Sequence, residues 1–143
     1  MKVAAIKRVV LDASVAVAWC FEDESTRLAE SVLDLLSAGT ETFVPPIWPL
    51  EVANALLVAE RRKRITTAQV TALLQRISKL PTVVEPMPLA HAFEQVLAIA
   101  RQHDLTEYDA SYIELALREG LPLATLDAKL RRAARSAGIA LVE

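Results

Sequence analysis

Val9-Val10-Leu11-Asp12-Ala13-Ser14-Val15-Ala16-Val17-Ala18-Trp19 decides how this chain is read. Val9-Val10-Leu11 is an apolar run bounded by charges, and Arg8 to Leu11 reads as a short buried strand. Asp12-Ala13-Ser14 turns the chain into a helix that continues from Val15 to Phe21. A strand that passes at once into a helix, with an acid at the junction, opens a β-α unit. The alternation recurs downstream. Thr26 to Ser37 places Leu28, Val32, Leu35 and Leu36 at helical spacing and stops at Ala38-Gly39. Thr42 to Val44 is a second strand, closed by Pro45-Pro46. Pro49 starts a helix that runs to about Lys63, where its missing N–H does no harm. Thr66 opens another, with Val70, Leu73, Leu74 and Ile77 on its apolar face. Thr82 to Val84 is a third strand. Helices follow from about Leu89 to His103 and from Thr106 to Gly120. Leu123 to Leu126 is a fourth strand, Ala128 to Ser136 a helix, and Ile139 to Val142 a terminal strand.

Strands alternating with helices imply a parallel sheet covered on both faces, hence one α/β/α domain over residues 1–143. Ligands in such folds bind at the carboxyl ends of the strands. Asp12 and Asp127 both stand at that end.

The composition bounds the function. With 53% apolar residues and three glycines, the chain has the makeup of a folded globular domain. Its apolar stretches are broken before membrane-spanning length, so no transmembrane helix is expected. Lys7 and Arg8 interrupt the N-terminus where a signal peptide would stay apolar, so no secretory signal is expected. The single cysteine, Cys20, fits a core position and a reducing cytoplasm. A formal net charge of −2 argues against a protein that coats long nucleic acid by neutralising phosphates. It leaves room for an enzyme that grips one phosphate through a metal.

Four acids stand in apolar or cap-like places: Asp12, Glu51, Asp109 and Asp127. Each has an ordinary structural reading. Asp12 and Asp127 suit helix N-caps. Thr106-Glu107-Tyr108-Asp109 has the spacing of a capping box. Glu51 suits a first helical turn, where the dipole favours an anion. Burying an unpaired carboxylate is costly, however, and no lysine or arginine stands at an offset that pairs with all four. A shared counter-charge is the simpler account. An all-oxygen donor set suits a hard divalent cation, Mg²⁺ or Mn²⁺. Asn54, one turn beyond Glu51, is placed to orient it, and Thr125 to bond Asp127 or a ligand.

These residues carry a resemblance. Val9 to Trp19 resembles the opening motif of PIN-domain ribonucleases, especially the VapC-type toxins of toxin–antitoxin pairs. Pro49-Leu50-Glu51-Val52-Ala53-Asn54-Ala55-Leu56 resembles their second motif, and Tyr108-Asp109-Ala110-Ser111-Tyr112-Ile113-Glu114-Leu115-Ala116 the third. Gly120-Leu121-Pro122-Leu123-Ala124-Thr125-Leu126-Asp127 with Leu130 resembles the fourth. The match spans nearly the whole chain in the family's order. It implies a five-stranded parallel sheet of order 3-2-1-4-5. It implies that Asp12, Glu51, Asp109 and Asp127 form a pocket for Mg²⁺ or Mn²⁺, with Ser14 and Thr125 assisting. The implied activity is metal-dependent hydrolysis of RNA, with water activated beside Asp12 or Asp109. The implied partners are RNA, a cognate antitoxin and a second copy of the chain.

RNA must be held by local positive charge. Lys129, Arg131, Arg132 and Arg135 follow Asp127 closely, and Arg61-Arg62-Lys63-Arg64 forms a second run. Either set also suits a solvated helix end. His91 and His103 are read as structural or solvated, which disfavours a metal-independent ribonuclease. Trp19, Phe21 and Trp48 suit either core or a partner groove. Two rivals stay open: a non-catalytic binding module on the same fold, and a DNA-directed nuclease with the same metal chemistry. A haloacid-type phosphatase would favour an acid at position 14, where Ser14 stands. A phosphotransfer receiver would need a lysine where Asp127 stands.

Overall fold

A computed structural model describes residues 6–143; the Met1–Ala5 part of the N-terminal reading lies outside them. Strand β1 (Arg8–Leu11) has three consecutive residues, Val9, Val10 and Leu11, with no exposed surface. A strand buried on both faces reads as an unbroken apolar run, and this one lies in the middle of the sheet. It pairs in parallel with β2 (Glu41–Val44), Val10 opposite Phe43, and on its other side with β4 (Leu123–Ala124), Val10 opposite Leu123. β3 (Thr82–Val84) adds to the far edge of β2, giving the order β3-β2-β1-β4. The expected fifth strand survives as one parallel bridge, Leu141 to Leu123, with flanking hydrogen bonds from Leu123 N–H to Ala140 and from Val142 N–H to Leu123. The fourth strand stops at Ala124, short of the expected Leu126, because Thr125 and Asp127 turn to other partners described below.

The helices are α1 (Ala13–Ala18), α2 (Arg27–Ser37), α3 (Trp48–Arg61), α4 (Thr67–Ser78), α5 (Leu97–His103), α6 (Glu107–Glu119) and α7 (Ala128–Ser136). Their starts are legible in local chemistry. Thr26 and Thr106 accept from the backbone N–H groups of Ala29 and Asp109, and Thr66 with Gln69 forms a reciprocal capping box. Helix α6 ends on Gly120 at φ +65°, a left-handed cap that side chains rarely adopt. The expected helix from Leu89 contains a wide π turn, His91–Val96, before α5. Across that turn His91 meets Glu114 of α6 while Val96 and Ala100 pack with Ala110.

Helix α6 is the most enclosed, with Ala110 to Ala116 all buried. Its Tyr112, Ile113 and Leu115 join β1, α1 and β4 in the main core. Burying a side chain of this size fully is worth roughly 1.5–3 kcal/mol, so this helix is fixed against the strands that carry Asp12 and Thr125. Phe21 and Trp48 are buried, and the Trp19 indole donates to the Ala29 carbonyl at 2.7 Å. These aromatics are therefore core components. Cys20 is half-buried beside Phe21 and Leu56. Among the described residues, no helix is long and apolar enough to cross a membrane.

Candidate active site

Asp12 directly follows β1 at the sheet's carboxyl edge and is buried, 6% exposed. It precedes α1 in the N-cap position, yet its side chain makes no capping hydrogen bond. Two hydroxyls take its Oδ2 instead: Ser14 Oγ donates at 2.6 Å and Thr125 Oγ1 at 2.7 Å. Each hydroxyl is itself aimed by the backbone. The Leu126 N–H donates to Ser14 Oγ and the Asp127 N–H to Thr125 Oγ1, both at 3.0 Å. The result is a chain of donors converging on one oxygen of Asp12 from α1 and from the residue just after β4. The hydroxyl bonds favour the charged form, but burial outweighs them and raises the Asp12 pKa, with the Asp127 charge adding to the rise.

Glu51 lies in the first turn of α3. Its pKa is raised by burial first, then by the charges of Asp12 and Asp109, against the lowering effect of a bond from Tyr112. That bond runs from the Tyr112 hydroxyl to Glu51 Oε1 at 2.5 Å. Asn54, expected to orient Glu51, is exposed; Tyr112 occupies that role in the hydrogen-bond pattern. Tyr112 went unassigned in the sequence because an aromatic at helical spacing within α6 reads as core, which it also is.

Asp109 lies in the first turn of α6, its backbone N–H held by the Thr106 cap at 3.1 Å. Burial raises its pKa most, the charges of Asp12 and Asp127 raise it further, and Lys129 lowers it. Asp127 is exposed and is a true N-cap: its Oδ1 accepts from the Leu130 N–H at 2.9 Å. Its structural reading is thus fulfilled while its charge still acts on Asp12 and Asp109.

Four carboxylates from β1, α3, α6 and the β4–α7 junction are electrostatically coupled. Among the described residues, none of them forms an ion pair with a lysine or arginine. Among the described residues, as they stand, no three His, Cys, Asp or Glu side chains are close enough together to hold one ion. The donor chemistry fits a hard divalent cation all the same: oxygen only, net negative, and with one oxygen of Asp12 already saturated by hydroxyls.

The basic candidates divide. Arg131 is tied down, donating to the Thr125 carbonyl at 2.9 Å and pairing with Glu143 at 3.4 Å. Lys129 is exposed, 3.5 Å from Asp104, and near enough to Asp109 to act on it. Arg132 and Arg135 are exposed on α7. In the other run Arg64 pairs with Asp23 and Glu24 and covers the Phe21 ring, leaving Arg61, Arg62 and Lys63 exposed. His91 bonds Glu114 at 3.1 Å, away from the four acids, and His103 is half-buried.

A parallel α/β/α sheet with an acidic carboxyl edge defines the class. The particular family follows from comparison: the PIN-domain family model matches residues 9–136, and the chain belongs to that family. It is 33% identical over 135 residues to a Mycobacterium tuberculosis protein named ribonuclease VapC3, covering 92% of this chain and 90% of that one. It is 28% identical over 123 residues to the ribonuclease VapC3 of Pyrobaculum aerophilum, covering 86% and 92%. Among solved structures, PAE2754 from Pyrobaculum aerophilum superposes with a TM-score of 0.71 at 25% identity, covering 96% of this chain and 85% of that one.

Proposed function

We propose that this chain is a metal-dependent endoribonuclease, the toxin of a toxin–antitoxin pair, acting in the cytoplasm. The observation that carries the reading is Asp12: a buried acid with hydroxyls aimed at one oxygen, three further acids coupled to it, and, among the described residues, no ion pair to a lysine or arginine. Membership of the PIN family, with relatives named as VapC ribonucleases, supports RNA as the substrate.

Asp12, Glu51, Asp109 and Asp127 would hold Mg²⁺ or Mn²⁺. When bound, the ion supplies positive charge against the phosphate's non-bridging oxygens and lowers the pKa of water. Ser14 and Thr125 favour the ionised form of Asp12 against its burial and fix its orientation. Asp109, half-buried and with raised proton affinity, is the acceptor we assign for the proton of the attacking water. Lys129, Arg132 and Arg135 contact the RNA backbone from the start and outer face of α7. The hydrolysis leaves a 5′-phosphate and a 3′-hydroxyl.

An antitoxin segment or a second copy of the chain would cover the apolar surface beside the acids. There the exposed Leu50 and Tyr108 line a cleft of about 300 Å³ with Pro45, Ile47, Met87 and Val96. Leu50 and Tyr108 directly precede Glu51 and Asp109. A partner bound here would reach the catalytic edge.

The test uses matched end-labelled RNA and DNA oligonucleotides, with Mg²⁺, Mn²⁺ or chelator, and the wild-type and Asp12→Asn proteins. Internal cuts in RNA alone, abolished by chelator and by the substitution, are expected. Cleavage of DNA alone would move the assignment to a DNA nuclease. No cleavage by folded, metal-replete protein would leave a binding module. Growth arrest on expression, relieved by the neighbouring gene product, tests the toxin role.

A further inference from the structure

We propose that Tyr112 is a positioning residue for the reaction: its hydroxyl holds Oε1 of Glu51 and so presents the other oxygen to the ion. The proposal rests on the metal-dependent reading of the four acids. Tyr112 has no exposed surface, so its ring is fixed within α6 and the core. Its hydroxyl crosses from α6 to α3 to donate to Glu51 at 2.5 Å. The Asp12 charge also acts on this hydroxyl and raises its pKa, after burial, so Tyr112 senses a second acid of the cluster.

A buried tyrosine hydroxyl needs a partner, and a backbone carbonyl would serve. Here the partner is a carboxylate that its neighbours Asp12 and Asp109 repel. Glu51 is only half-buried, and a glutamate side chain has three torsions with which to swing outward. The tyrosine bond opposes that swing. The arrangement repeats what Ser14 and Thr125 do for Asp12: hydroxyls occupy one oxygen, and among the described residues no side chain donates to the second. Two of the four acids are therefore oriented before any ion arrives. The phenylalanine substitution removes the hydroxyl and keeps the ring, so the core volume is preserved.

Mn²⁺ titration calorimetry on the full chain, without RNA, tests this in wild type, Tyr112→Phe, Glu51→Gln and the double variant. Loss of an oriented outer hydrogen bond to a metal ligand is expected to weaken Mn²⁺ binding about tenfold or more in Tyr112→Phe. In the Glu51→Gln background the same change should weaken it less than about twofold, because the bond it removes no longer holds a ligand carboxylate. A merely structural hydroxyl would lower the melting temperature of Tyr112→Phe and leave Mn²⁺ affinity unchanged, which overturns the proposal. So does equal weakening in both backgrounds. Wild type that takes up no Mn²⁺ overturns the proposal together with the metal reading beneath it. A measurement on the intact fold uses 3-fluorotyrosine at Tyr108 and Tyr112, the two tyrosines, with the Tyr108→Phe protein assigning the signals. The Tyr112 resonance is expected to shift with Mg²⁺ and to saturate with binding; indifference to bound Mg²⁺ overturns the proposal.

Discussion

Helix α6 carries two acids in opposite circumstances. Glu114 is buried, and the protein surrounds it with partners: the Arg118 guanidinium at 2.9 Å one turn along, and the His91 ring at 3.1 Å from the π turn. Asp109, one helical turn nearer the N-terminus, faces Asp12 and Asp127, with the exposed Lys129 as its cationic influence. The chain can therefore provide a partner for a buried acid where the fold requires one. At the sheet's carboxyl edge it gathers acids and provides hydroxyls instead. Hydroxyls orient a carboxylate without cancelling its charge. On the proposed reading, the first region serves stability, and the second holds its acids together for a divalent ion.

Substitutions should separate the two regions cleanly. Asp12→Asn or Asp109→Asn is expected to lower RNA cleavage by about 10³-fold, equivalent to about 4 kcal/mol of transition-state stabilisation. Neither should lower the melting temperature of metal-free protein, because each removes a charge that burial disfavours. A large loss of stability in Asp12→Asn would break the comparison by making that acid structural. Glu114→Ala should do the opposite. It removes the partner shared by His91 and Arg118, leaving Arg118 the more distant Glu119 at 3.5 Å, and is expected to cost about 2 kcal/mol in urea unfolding. Cleavage per folded molecule should stay near wild type. A cleavage defect in fully folded Glu114→Ala protein would show that the two ends of α6 are not independent.

The pH dependence sharpens the same contrast. Burial raises the pKa of Asp12, Glu51 and Asp109 in the native state above that of ordinary carboxylates, near 4. The native protein then holds protons that the unfolded chain has released. The stability these groups contribute is complete below the ordinary carboxylate range and is lost as pH rises through the raised native values. Denaturant unfolding of metal-free protein should therefore show stability falling through this window by way of these groups. Asp109→Asn should flatten the fall. Mn²⁺ should restore stability at neutral pH, by about 2.7 kcal/mol at a hundredfold excess over its dissociation constant. An unchanged slope in Asp109→Asn would show that its burial is without consequence. The smallest effect is expected at Lys129. Its replacement by Ala should weaken RNA binding slightly and lower the salt dependence by about one counterion, read from affinities at several salt concentrations.

Much of this was legible in the sequence, for reasons that can be named. Val9-Val10-Leu11 reads as a central strand because both of its faces are buried, and it is one. Thr66, Thr106 and Gly120 mark helix ends through local hydrogen bonding, which needs no tertiary context. The four acids stood out because each breaks an apolar pattern or follows a strand. The Ile139–Val142 strand was less legible, since its single bridge depends on how far β4 extends. The π turn at His91 was not legible, because it depends on a contact with Glu114, distant in sequence. Tyr112 was hidden for a related reason. Its spacing says core, and only the folded chain brings its hydroxyl to Glu51. Helical spacing alone points to Asn54 for that place; it gives a direction around a helix and says nothing of what the neighbouring helix brings.

The most direct measurement is an anomalous-difference map from crystals of the wild-type protein soaked in Mn²⁺. A peak among Asp12, Glu51, Asp109 and Asp127, with their carboxylates drawn around it, is the expected result. Well-ordered crystals whose manganese lies elsewhere, with these acids unmoved and empty, would contradict the claim that their charge is kept for an ion.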